Sequence, residues 1–67
     1  MPDDNARLLR IRDVIERVGL SRSTIYRLAK RGAFPAPRHP AGVAVAVWSA
    51  AEVNSWISDQ VNRAAGA

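Results

Sequence analysis

The sequence predicts a mainly α-helical domain with a small β-hairpin, in the order helix, helix, hairpin, helix. Three observations carry that expectation. Apolar residues recur at helical spacing in three stretches, Gly or Pro punctuates the junctions, and a valine-rich run before the third stretch alternates as a strand does. The chain has 67 residues, 48% of them apolar, and no cysteine, so one small core built by apolar packing alone is expected. Only four Pro and four Gly, with 24% charged residues, set it apart from disordered and fibrous chains.

The polar, aperiodic residues 1–7 are expected to form a flexible tail. From Ile11, the apolar positions Ile11, Val14, Ile15 and Val18 fall at i, i+3, i+4 and i+7, which predicts a one-sided first helix stopped by Gly19 in a left-handed conformation. Its N-cap is not evident, although Asp13 in the first turn suits the positive end of the helix dipole. Ser21 is the N-cap of a second helix closed by Gly32. Ile25, Leu28 and Ala29 form its narrow apolar stripe, and Ser23, Tyr26, Arg27, Lys30 and Arg31 occupy the rest of the circumference. Two helices joined by only Gly19 and Leu20 must turn sharply against each other, as in a helix-turn-helix.

Beyond Gly32, the prolines at 35, 37 and 40 forbid helix, and Pro40-Ala41-Gly42 signals a turn. Residues 43–48 then read as a strand with Val43, Val45 and Val47 on one face, and Pro37 to His39 is its expected partner in a short, irregular hairpin. Ser49 with Glu52 predicts a capping box at the start of the third helix. Val53, Trp56, Ile57 and Val61 supply the apolar stripe of that helix, until Ala-Ala-Gly-Ala frays it. The whole is a small winged helix-turn-helix spanning residues 8–64, with 65–67 as a frayed C-terminus.

The charge is unevenly spread. Residues 1–20 balance four arginines against four acids, whereas residues 21–40 hold Arg22, Arg27, Lys30, Arg31 and Arg38 with no acid at all. The formal net charge of +4 therefore sits on the second helix and the loop after it, and predicts a polyanionic partner, nucleic acid. A solvated basic face that only aids solubility is the bland alternative. No segment is long and apolar enough to span a bilayer, no signal peptide is discernible, and the lack of cysteine fits a reducing cytoplasm.

The motif Gly19-Leu20-Ser21-Arg22-Ser23-Thr24-Ile25-Tyr26-Arg27, with Gly32, Phe34 and Pro35 beyond it and Trp48 and Trp56 around the last helix, resembles the AlpA-type phage regulators and their excisionase relatives, within the broader MerR-like winged-helix group. The similarity runs from about Leu8 to Ile57. The resemblance implies that the helix opened by Ser21 is a recognition helix in the major groove of double-stranded DNA, and that the hairpin is a wing over the backbone. It also implies a transcription regulator, or an excisionase acting beside a phage-type integrase. The chain departs from relatives at Val43 and Ser49, where many carry basic residues, which leaves Arg38 and His39 as the polar candidates of the wing.

Arg22, in the first turn, is the expected base reader, because its planar fork can pair the O6 and N7 of guanine, with a phosphate contact or a solvated side chain as the alternatives. Arg27, Lys30 and Arg31 are expected on phosphates, with Ser21, Ser23 and Tyr26 as possible phosphate donors. For Ser21, capping is the first role. Trp48 and Trp56 adjoin apolar stripes and are expected as core anchors rather than base-stacking platforms. His39 is the only imidazole, so neither a zinc site nor a catalytic base is expected, and no enzyme or cofactor is predicted. A module of this size covers roughly 600 to 1,000 Å² of DNA, so cooperative loading on adjacent sites is the expected form of self-association. The rival from another class is a protein-interaction module presenting an exposed valine face, which burial of those valines would oppose.

Overall fold

A computed structural model describes residues 4–66. A 3-10 turn over Asp4–Ala6 leads into a two-residue strand, β1 (Leu8–Leu9), and then into helices α1 (Ile11–Val18) and α2 (Arg22–Lys30). After a long loop come strand β2 (Trp48–Ser49) and helix α3 (Ala50–Gly66). The fold is the expected winged helix-turn-helix, mainly helical, with the loop between α2 and β2 as its wing.

Both α1 and α2 end where the sequence stops them. Gly19 adopts φ 72° and its N–H donates to the Ile15 carbonyl at 2.9 Å, a left-handed stop that glycine takes without steric cost. At the end of α2, the Gly32 N–H donates to Ala29 O (3.1 Å) and the Ala33 N–H to Leu28 O (2.8 Å), the paired bonds of a Schellman motif. The unassigned N-cap of α1 is Arg10, which offers no acceptor; instead the Asp13 carboxylate reaches back to the Arg10 N–H at 3.2 Å.

One core joins the elements. Leu9, Val14, Ile25, Phe34, Trp48, Ala50 and Val53 are buried together, with Ile11, Ile15, Leu28, Trp56 and Ile57 among the residues packed around them. Trp48 is fully buried and its Nε1–H donates to the Pro35 carbonyl at 2.9 Å. Trp56 is half-buried; its Nε1–H donates to the Ala33 carbonyl at 2.8 Å and its ring meets that of Phe34 edge to face, with centroids 4.8 Å apart. Both tryptophans are thus structural anchors on the segment that follows α2.

Four local expectations are corrected. The hairpin within residues 37–48 shrinks to a single bridge, in which the Arg38 N–H donates to Val47 O (2.7 Å) and the Val47 N–H to Arg38 O (2.9 Å). Pro37 and Pro40 bracket that rung and lack the N–H that a longer ladder requires. Trp48 pairs instead with Leu9, and Ser49 with Leu8, in the antiparallel β1–β2 pair. The three valines do not share one environment: Val47 is buried, Val45 half-buried and Val43 43% exposed beyond the turn that the Val43 N–H closes on Pro40 O at 3.1 Å. The expected capping box is half made, because Ser49 Oγ accepts from the Glu52 N–H (3.4 Å) while the Glu52 side chain turns to Arg38.

The chain ends differ too. Of the expected tail, residues 1–3 lie outside the described residues, but Asp4 is held by Arg17 of α1 at 2.7 and 2.8 Å and by the Asn54 amide of α3 at 2.9 Å. The Arg7 carbonyl in turn accepts the Ala50 N–H at 2.9 Å, satisfying an amide at the start of α3. At the other end α3 continues through Gly66, and Ala67 lies outside the described residues. Val61, expected in the apolar stripe, is 61% exposed because the last two turns of α3 extend past the core.

Candidate nucleic-acid interface

The Ser21 side chain both caps α2 and organises its first turn. Its Oγ accepts from the Thr24 N–H at 3.2 Å and donates to Thr24 Oγ1 at 2.9 Å. A Ser hydroxyl has one proton, and here it is given to Thr24, so both hydrogen bonds of Ser21 Oγ serve the first turn of α2.

From that cap, the exposed side chains of α2 follow in order. Arg22, Tyr26 and Lys30 are four residues apart and lie along one face, with Ser23 and Arg27 beside them and Arg31 at the C-cap. Among the described residues, none of the side chains of Arg22, Arg27, Lys30 and Arg31 has a hydrogen-bond or ion-pair partner within the protein. Four fixed cations on one short helix without an acid are a concentrated positive field. Tyr26 is 41% exposed; its ring meets Trp48 edge to face, with centroids 5.7 Å apart at 65°, so the ring is braced on one side while part of its surface faces solvent. A small groove of about 370 Å³ separates Tyr26, Ala29 and Lys30 from Ala36 and Pro37 at the base of the wing.

The wing presents less. Arg38 is exposed, and its Nη2 lies 3.1 and 3.2 Å from the two carboxylate oxygens of Glu52. An exposed pair of this kind exchanges readily for another anion. His39 follows it, exposed, in the loop between the bridge and the Pro40 turn.

Two cations that the sequence pattern does not mark as candidate contacts share a cleft with Arg22. Arg10 and Arg12, at the start of α1, share with Ile11, Asp13 and Arg22 a cleft of about 520 Å³. Along the chain they fall in a stretch whose charges cancel; in space, one of the cancelling acids is elsewhere. The hydrogen bonds from Arg17 and then Asn54 hold the Asp4 carboxyl far below the usual carboxylate range, which ties that acid to the α1–α3 side. Among the described residues no group of three or more His, Cys, Asp or Glu side chains is placed to hold a metal ion.

The family model described as prophage CP4-57 regulatory protein (AlpA) matches residues 7–61. An uncharacterized protein, ORF88 of Enterobacteria phage P4, is 39% identical over 62 residues, covering 91% of this chain and 69% of that protein. No solved structure matches the chain.

Proposed function

We propose that this chain, which belongs to the AlpA family of prophage regulatory proteins, binds double-stranded DNA sequence-specifically with α2 in the major groove and so regulates transcription of a phage or integrated element. The observation that carries the reading is the row of unpartnered cations on α2, the second helix of a helix-turn-helix. Arg22 in the first turn reads a base. Arg27, Lys30 and Arg31 hold phosphates, joined by Ser23 and Tyr26 as neutral donors and by Ser21 where its bond to Thr24 is exchanged. Arg38 and His39 give the wing a weak hold on the backbone.

The same grip serves an excisionase that assists a phage-type integrase, because that role also begins with occupying a site. Cooperative loading of a second copy on an adjacent site extends the small footprint of one module. The reading places the protein in the cytoplasm of the host; no described helix is long and apolar enough to cross a membrane. It assigns no enzymatic activity and no cofactor. The alternative of a protein-docking valine face draws little support, since one valine of the three is exposed.

The test is a footprint on the DNA flanking the gene, followed by binding to that site, to single-base variants and to random duplex at several salt concentrations. With four or five phosphates neutralised, log affinity falls against log salt with a slope of about −4. Arg22→Ala costs about 1 to 3 kcal/mol on the true site and relaxes preference at one position. Lys30→Ala weakens all duplexes alike and makes the slope shallower by about 1. Absence of binding at low salt overturns the reading; equal weakening of every duplex by Arg22→Ala makes Arg22 a phosphate clamp.

A further inference from the structure

We propose that the cleft between the starts of α1 and α2 is a second phosphate subsite, in which Arg10 and Arg12 grip one strand of the duplex beside the base that Arg22 reads. The inference rests on the DNA-binding reading and adds to it a site on the first helix. Three guanidiniums, from the N-cap and first turn of α1 and the first turn of α2, line one cleft of about 520 Å³, and among the described residues the one carboxylate lining it, Asp13, accepts from the Arg10 backbone N–H. Among the described residues, none of the three guanidiniums has a hydrogen-bond or ion-pair partner. Two other arginines are matched to acids, Arg17 to Asp4 and Arg38 to Glu52.

Like charges gathered in this way repel one another, and an anion in the cleft removes that repulsion while gaining several charge-assisted hydrogen bonds. Arginine forks suit the tetrahedral oxygens of a phosphodiester, and the first-turn amides of α1, which a helix leaves without internal partners, reinforce the same sign of field. The geometry fits a backbone rather than a base. Arg10 caps and Arg12 lies in the first turn of the helix that precedes the recognition helix, while Arg22 is the first residue of α2, so a strand bordering the groove entered by Arg22 passes over the start of α1.

The test compares the parent with Arg10→Gln/Arg12→Gln, substitutions at two exposed positions that retain much of the side-chain length and remove the charge. The expected result is a salt slope shallower by about 2, from roughly 0.9 per phosphate contact, with footprinted and random duplexes weakened by the same factor. A second arm leaves the protein intact. Single methylphosphonate linkages, which lack the phosphate charge, are placed in turn along the strand flanking the Arg22 base. One or two of them should weaken the parent and leave the double variant unaffected. If the parent binds DNA but the variant keeps its slope and affinity, or no linkage discriminates the two proteins, the subsite is overturned and the α2 reading stands. If the parent binds no duplex at all, the DNA-binding reading itself fails and takes the subsite with it. Should the double variant melt below the parent, Arg12→Gln alone with the same linkages gives the same decision.

Discussion

The helical pair α1–α2 and the wing face solvent as near neighbours, yet they are built on opposite principles. In the helical pair the ends are closed by specific devices: the Asp13 reach-back, Gly19, the Ser21 cap and the Schellman bonds at Gly32. Its inward residues reach the common core, and its exposed cations Arg12, Arg22, Arg27 and Lys30, unlike the half-buried Arg17, are left without partners among the described residues. Beyond Pro35 the wing backbone is held by one bridge and one turn, Val43 is exposed, and Arg38 is matched to Glu52. Order and available charge therefore coincide on the helices, and the wing contributes little of either. A binding surface is most useful where its scaffold is over-determined, because the side chains then need no ordering by the ligand.

The largest effect is expected at Trp48 of β2, which touches both regions. Trp48 carries the edge of Tyr26 on one side and donates to Pro35 on the other, and Trp48→Ala should cost about 3 to 5 kcal/mol, most of the stability of so small a domain. Thermal denaturation checks it; a melting temperature near the parent's would mean that the two regions hold together without this residue. Next in size, Ser21→Ala should cost about 1 kcal/mol through the lost cap, whereas Val43→Ser on the wing should stay within about 0.5 kcal/mol. Equal melting temperatures for the two variants would erase the contrast between capped helix and loose wing.

A smaller effect comes from pH. The Asp4 carboxyl is held low by Arg17 and Asn54, so its contribution is complete above the ordinary aspartate range near 4 and is lost as pH falls below it. Melting of the parent from pH 6 to pH 2 should decline more than that of Asp4→Asn, which lacks the titrating group; parallel declines would show that the contact adds nothing. The smallest change in stability is expected for Glu52→Gln, since exposed pairs contribute little. That variant frees Arg38, and duplex affinity should rise modestly at low salt and converge with the parent at high salt. An unchanged affinity would leave the wing without any role in holding DNA.

Features recorded locally in the chain were readable from it, and features made by distant encounters were not. Gly19, Ser21 and Gly32 mark the ends of α1 and α2 because caps and stops act within a few residues. The cations of α2 were legible for the same reason, as neighbours on one helix. The Leu8–Leu9 strand was hidden because two residues show no periodicity and their partners, Ser49 and Trp48, lie far along the chain. The valine run suggested a regular strand, since alternation reports which residues could pair and not whether a partner with free N–H groups exists. Arg10 and Arg12 were masked by counting charge along the chain, where they balance acids; folding ties Asp4 to Arg17 and Asn54 and brings Arg22 to the other two.

The two indole N–H groups have a consequence for the thermodynamics of association. They donate to the carbonyls of Ala33 and Pro35, on either side of the buried Phe34 ring, so the strand β2 and the helix α3 each grip the segment that leaves α2. A helix clasped in that way meets its partner already oriented. The entropy lost in fixing its direction belongs to folding and is absent from the association step, which leaves a binding heat capacity set by buried surface and displaced solvent rather than by coupled ordering of the chain.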